Sequence, residues 1–165
     1  MNTNGFLWTR PGFLVRRLHQ ICVGIFVDEC GDTGLTPIQW GILNVVERTP
    51  GLGYSAIAEK VGLDRSNTAN VVRRLAERGW VTQEPSSTDG RMLCVVLAPA
   101  GRKLLTRMGP KLRRSQDRVF EPLSDEERRT FVSLLTRLIV HHNDSGRAPL
   151  HVDQALYKEV LEQRE

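Results

Sequence analysis

Between Tyr54 and Gly79 the apolar residues recur at helical spacing in two short blocks, separated only by Gly62-Leu63-Asp64. The first block would bury Ile57, Ala58 and Val61, and the second Ala69, Val72, Leu75 and Ala76. Helices this short are marginal on their own in water, so the pair must form on a shared core. Gly62 permits the turn between them, Asp64 caps the second helix and Gly79 stops it. That second helix leaves a polar and cationic set pointing outward: Arg65, Ser66, Asn67, Asn70, Arg73 and Arg74.

The period then changes. Trp80–Glu84 and Met92–Leu97 alternate as strands, with Leu93, Val95 and Leu97 on one face. The polar run from Pro85 to Arg91 is too long for a two-residue hairpin turn and must project. Two short helices, a glycine turn and a projecting hairpin are the parts of a winged helix-turn-helix. The expected fold class is therefore mainly α with a small β-hairpin wing, an α+β winged helix-turn-helix domain joined to a helical dimerisation region.

The flanks are helical. Leu14, Leu18, Ile21, Cys22, Ile25 and Phe26 recur at three and four, up to the breakers Gly31 to Gly34. Thr36-Pro37-Ile38-Gln39 announces a capping box, with Leu35 and Trp40 placed as a hydrophobic staple. After the hairpin a helix resumes near Pro99, with a kink expected at Gly109-Pro110. Ser124 to Glu127 begins a further helix that buries Phe131, Leu134, Leu135, Leu138 and Ile139, and Val152–Leu161 reads as a last short one. The division expected is 1–34 as an N-terminal dimerisation helix, 35–100 as the winged domain and 101–165 as C-terminal dimerisation helices.

Charge places the function. Residues 54–107 hold nine Lys/Arg against five acids, whereas the rest of the chain is balanced, so the whole excess of +4 falls in the middle third of the chain. A positive segment between neutral flanks is the electrostatic footprint of a nucleic-acid surface. The second helix of the pair fits a major groove about 12 Å wide. There Asn67 and Asn70 offer a donor and an acceptor to adenine, and Arg65, Arg73 and Arg74 suit guanine or phosphate. Ser66 lies at the phosphate-favouring helix start, while Thr68 and Val71 would touch thymine methyls. On the wing, Arg91 suits a narrow minor groove, with Asp89 to orient its guanidinium and Ser87 beside it on the loop.

These stretches together resemble the MarR family of bacterial transcription regulators over about Phe13 to Asn143. The matching segments are LTPIQWGILNVV from Leu35, IAEKVGL from Ile57, SNTANVVRRLAERGWV from Ser66, Asp89-Gly90-Arg91 with LCVVLAPAG, and LSDEERRTFVSLLTRL from Leu123. The resemblance implies a homodimer whose terminal helices intertwine, repression of a pseudo-palindromic operator in double-stranded DNA, and release by a small molecule. Two positions depart from the family pattern. Ala98 stands where a helix-capping Thr is usual, a loss of about 1 kcal/mol of helix-start stability, and Ala69 replaces a common Thr on the reading helix.

Trp8, Phe13, Arg16, Arg17, His19 and Trp40 combine aromatic walls with cationic groups, which suits an aromatic carboxylate or an aryl-CoA thioester as effector. This N-terminal stretch is similar to regulators of aromatic-acid degradation within the family. A rival switch is oxidation at Cys22 or Cys30, and a rival role is a winged module used only for protein contacts. The chain carries no phosphate loop, nucleophile elbow or metal-ligand spacing, so neither an enzyme nor a cofactor or metal is expected. Its three cysteines have no disulfide pattern, its start is not a secretory signal, and no run could span a bilayer, which together imply a cytoplasmic protein without membrane contact.

Overall fold

The structure is a computed structural model that describes residues 3–85 and 92–151. The elements in chain order are α1 (Thr3–Leu7), α2 (Pro11–Cys30), α3 (Pro37–Arg48), β1 (Leu52–Gly53), α4 (Tyr54–Val61), α5 (Arg65–Glu77), β2 (Val81–Pro85), β3 (Leu93–Leu97), α6 (Pro99–Phe120) and α7 (Asp125–His141). The fold is mainly helical with one small antiparallel sheet, in the winged helix-turn-helix arrangement. The wing residues Ser87, Asp89 and Arg91, and the expected helix over Val152–Leu161, lie outside the described residues.

Local signals set the helix starts. The Thr36 N–H donates to Gln39 Oε1 (3.0 Å) and the Gln39 N–H returns to Thr36 Oγ1 (3.3 Å), closing the capping box of α3. Ser124 and Glu127 close another on α7. α6 begins at Ala98 with no side-chain cap. The helix-turn-helix corner is made by Gly62 at φ 66°, a left-handed conformation that side chains disfavour, and the Leu63 N–H donates to the Ala58 carbonyl (3.1 Å).

The core lies where α3, α4 and α5 meet the sheet and α6. Ile42, Leu43, Val46, Ile57, Val72, Leu75, Val95 and Met108 are all fully buried there. Arg78 ties the end of α5 to the loop before α3, donating to the Gly34 carbonyl (2.9 Å) with its guanidinium 4.7 Å from the Trp80 ring centre.

Four expectations need correction. A third strand exists: β1 pairs with β3 through Leu52 and Val95, giving the sheet order β1-β3-β2. α7, expected to bury Leu134, Leu138 and Ile139, leaves all three exposed. Leu93 is 47% exposed at the start of β3, so the buried side of that strand begins with Cys94 and Val95. The buried face of α5 is Thr68, Val72 and Leu75, rotated toward the helix start relative to the expected one.

Two sets of contacts hold the helical flanks, one between them and one to the winged domain. Along α2 and α6, Lys111 pairs with Asp32 (2.6 Å), Arg114 with Glu29 (3.1 Å), and Arg118 with both Glu29 (3.0 Å) and Asp28 (3.4 Å). Beyond α7, the Asn143 side chain both donates to and accepts from the backbone of Leu150 (2.9 Å each), and the His151 N–H donates to the Glu59 carbonyl of α4 (2.6 Å).

Hydrogen bonds from Arg118 and then Arg114 hold the Glu29 carboxyl below its ordinary titration range. A carboxyl whose folded value is depressed stabilises the fold above its unfolded value, about 4.3 for Glu, and loses that contribution as pH falls through the folded value. Glu29→Gln is therefore expected to melt below the parent protein at pH 7. The gap should close as acid scans pass below about pH 4. A gap that stays constant down to pH 3 would remove Glu29 as its source.

Candidate functional site

The outward face of α5 is built from its first turn. Asp64 Oδ1 accepts from the Asn67 N–H (2.8 Å) and the Ser66 hydroxyl (2.9 Å), and Asp64 Oδ2 accepts from Asn67 Nδ2. These bonds, the backbone one first, depress the Asp64 carboxyl. Arg65, Ser66, Asn67, Asn70, Arg73 and Arg74 are all exposed on this helix. Asn70 Oδ1 accepts from Arg73 (3.4 Å), and Arg73 reaches Glu77 (3.9 Å). Arg65 and Arg74 have no acidic partner among the described residues. The face is thus cationic and amide-bearing, with its acids confined to the cap and the last turn.

Thr68 does not belong to that face. It is fully buried, and its hydroxyl donates to the Asp64 carbonyl (3.0 Å), which satisfies the polar atom and lets the methyl join the core. Val71 is half-buried and packs against the same core. Thr68 therefore cannot reach a thymine methyl in this arrangement, whereas Val71 keeps part of its side chain exposed.

The expected effector residues divide into two sets. Trp40 walls a cavity of about 470 Å³ between α3 and α6, together with Asn44, Glu47, Leu105, Thr106 and Arg113. None of Trp8, Phe13, Arg16, Arg17 or His19 lines it. Trp8 and Phe13 instead meet edge to face (6.4 Å between ring centres), with Arg16 over the Phe13 ring at 5.4 Å, and Arg17 and His19 are exposed on α2. The sequence reading missed the α6 wall, because Thr106 and Arg113 lie more than sixty residues beyond Trp40 and carry no motif.

The two cysteines of α2 are not activated. Burial pushes both Cys22 and Cys30 up, away from the thiolate that oxidation requires. Among the described residues there is no His/Cys/Asp/Glu cluster suited to a metal, and no helix is long and apolar enough to cross a membrane.

Residues 33–92 match the model of the MarR family. The chain is 33% identical to the PcaV transcriptional regulator of Streptomyces coelicolor, solved in complex with its natural ligand, over 80% of this chain and 93% of that one, with a TM-score of 0.72. This chain belongs to the MarR family. As a MarR protein it is also similar to BpsR of Bordetella bronchiseptica, solved in a study of how 6-hydroxynicotinic acid regulates its DNA binding (27% identity, 78% of this chain and 92% of that one, TM-score 0.74). A regulatory protein named for the hcr operon of Thauera aromatica is 38% identical over 105 residues, 64% of this chain and 63% of that protein. The match therefore spans less than two thirds of that relative's length.

Proposed function

We propose that this MarR protein is a transcriptional repressor that binds a pseudo-palindromic operator as a homodimer and releases it when a small aromatic anion occupies the Trp40 cleft. The observation that carries the reading is the α5 face, where Arg65, Asn67, Asn70, Arg73 and Arg74 stand exposed on a helix held to the core by Thr68, Val72 and Leu75. Such a helix can sit in a major groove while its back remains packed. Ser87, Asp89 and Arg91 of the wing are assigned to the adjoining groove on their residue types alone.

The homodimer is supported by apolar side chains left uncovered on the flanking helices: Trp8, Val15 and Val27 near or on α1 and α2, and Leu134, Leu138 and Ile139 on α7. Residues 1–34 and 101–165 are accordingly assigned to dimerisation and 35–100 to DNA. A two-fold dimer places its half-sites about one helical turn apart.

Anisotropy with duplexes from the chain's own upstream region tests the DNA reading. Tight binding that weakens by about 10³-fold or more between 50 and 200 mM salt is expected if six or more phosphates are contacted. Salt-insensitive or absent binding would overturn it.

The effector reading rests on the indole of Trp40 beside Arg113, Asn44 and Thr106, an aromatic wall with a cation and hydrogen-bonding groups. It is supported by the BpsR relative, whose DNA binding is regulated by 6-hydroxynicotinic acid. Benzoate-, nicotinate- and cinnamate-type acids, with their CoA thioesters, are expected to include at least one that raises the melting temperature and weakens the DNA complex. Trp40→Ala should abolish both effects. Stabilisation that survives Trp40→Ala would place the effector elsewhere.

A further inference from the structure

The first turn of α5 contains an arrangement that bears on which bases can be read, and it rests on the DNA-binding reading above. A carboxylate can only accept hydrogen bonds. The contact between Asp64 Oδ2 and the Asn67 amide therefore fixes which end of that amide is which: Nδ2 points at Asp64, and Oδ1, on an exposed side chain, is left without a hydrogen-bond partner among the described residues. Turning the amide over would bring its Oδ1 against Asp64 Oδ2, acceptor to acceptor. The Asp64 carboxylate is itself held in place by the Asn67 backbone N–H (2.8 Å) and the Ser66 hydroxyl (2.9 Å), so it cannot swing aside without uncapping the helix. An unrestrained asparagine is ambivalent, since rotation about its last bond exchanges donor for acceptor. Here that freedom is removed before DNA arrives.

We propose that Asp64 is a specificity-determining residue: by holding the Asn67 amide it presents Oδ1 to the major groove and restricts the base opposite to one with an exocyclic amine. In the major groove, adenine and cytosine present such an amine (N6 and N4), whereas guanine and thymine present a carbonyl oxygen (O6 and O4) at the corresponding edge. Oδ1 accepts from the first pair and repels the second. Asp64 touches no base. It acts through Asn67, and the discrimination it produces is expected to be on the order of tenfold at one position per half-site.

Selection of the full-length protein on randomised duplexes, followed by sequencing of the bound pool, tests this. The parent protein is expected to favour adenine or cytosine at one position in each half-site, and Asn67→Ala to level that position and so identify it. Asp64→Ser retains a side-chain oxygen for the Asn67 N–H and remains a good cap, but lacks the second oxygen that holds the amide. It should admit guanine and thymine there while every other position keeps its preference. Asp64→Asn, also a good cap, can donate to a turned Asn67 amide and should move the same position toward guanine and thymine. A purely capping role for Asp64 would instead weaken all sequences evenly and leave the preference intact, and that result overturns the proposal. So does an Asn67→Ala pool identical to the parent's. A parent protein that selects no sequence overturns the DNA reading itself, and this inference with it.

Discussion

Replacing Gly101 with alanine is expected to cost at least the 1–3 kcal/mol typical of forcing an extra methyl into a packed interior, and replacing it with valine to prevent a stable fold. A Cβ at this position would lie 2.1 Å from the Trp80 carbonyl oxygen, 3.0 Å from the Trp80 carbonyl carbon and 2.8 Å from Leu97 Cδ1. The obstruction is backbone, not the mobile end of a side chain. Nor is that carbonyl free to withdraw, because it accepts the Ala98 N–H (3.0 Å) where the chain leaves β3 for α6. With no side-chain cap at Ala98, this bond is one of the few restraints on the start of α6. The control is Gly41→Ala in α3, where a Cβ meets nothing within 4 Å. It should stabilise by about 0.5–1 kcal/mol, because glycine inside a helix costs conformational entropy. Thermal or urea melts that rank the two variants equally would show that the Gly101 contact relaxes without cost.

The second large effect is expected at the DNA interface. Reversing Arg65 and Arg74 together, as R65E/R74E, should remove operator binding at physiological salt. Both side chains are exposed on α5 and neither is engaged by an acid among the described residues, so their charge is available to phosphate. Loss of each phosphate contact should flatten the slope of log affinity against log salt by about 0.9. Each like charge facing the backbone adds a penalty of several kcal/mol. Because both positions are solvent-facing, the melting temperature should hardly change, which separates lost binding from lost folding. R65E/R74E protein that melts normally and still binds with the parent's slope would remove these two residues from the interface.

Much of the fold was readable from local chemistry. Thr36 with Gln39, Ser124 with Glu127, and Asp64 each mark a helix start by a bond confined to one turn, so a few residues carry the whole signal. Features that depend on distant partners were less legible. β1 is only two residues long and exists because Val95, over forty residues later, lies beside Leu52. Thr68 reads as an outward polar residue because residue type does not reveal that its hydroxyl is satisfied within its own turn. The cationic face of α5 could be read from helical spacing alone. The Trp40 cleft could not, since its second wall is brought by α6.

The return of the chain after α7 has a mechanical corollary. Asn143 grips Leu150, and the next residue is fastened to the Glu59 carbonyl, with the Leu150 methyl reaching Gly62 at the corner between α4 and α5. The exit of the last described helix and the base of the reading helix are thus joined by a short tether. Shortening the polypeptide to end at His142, or pulling on its tail, would be felt at the helix-turn-helix corner as well as at the terminus.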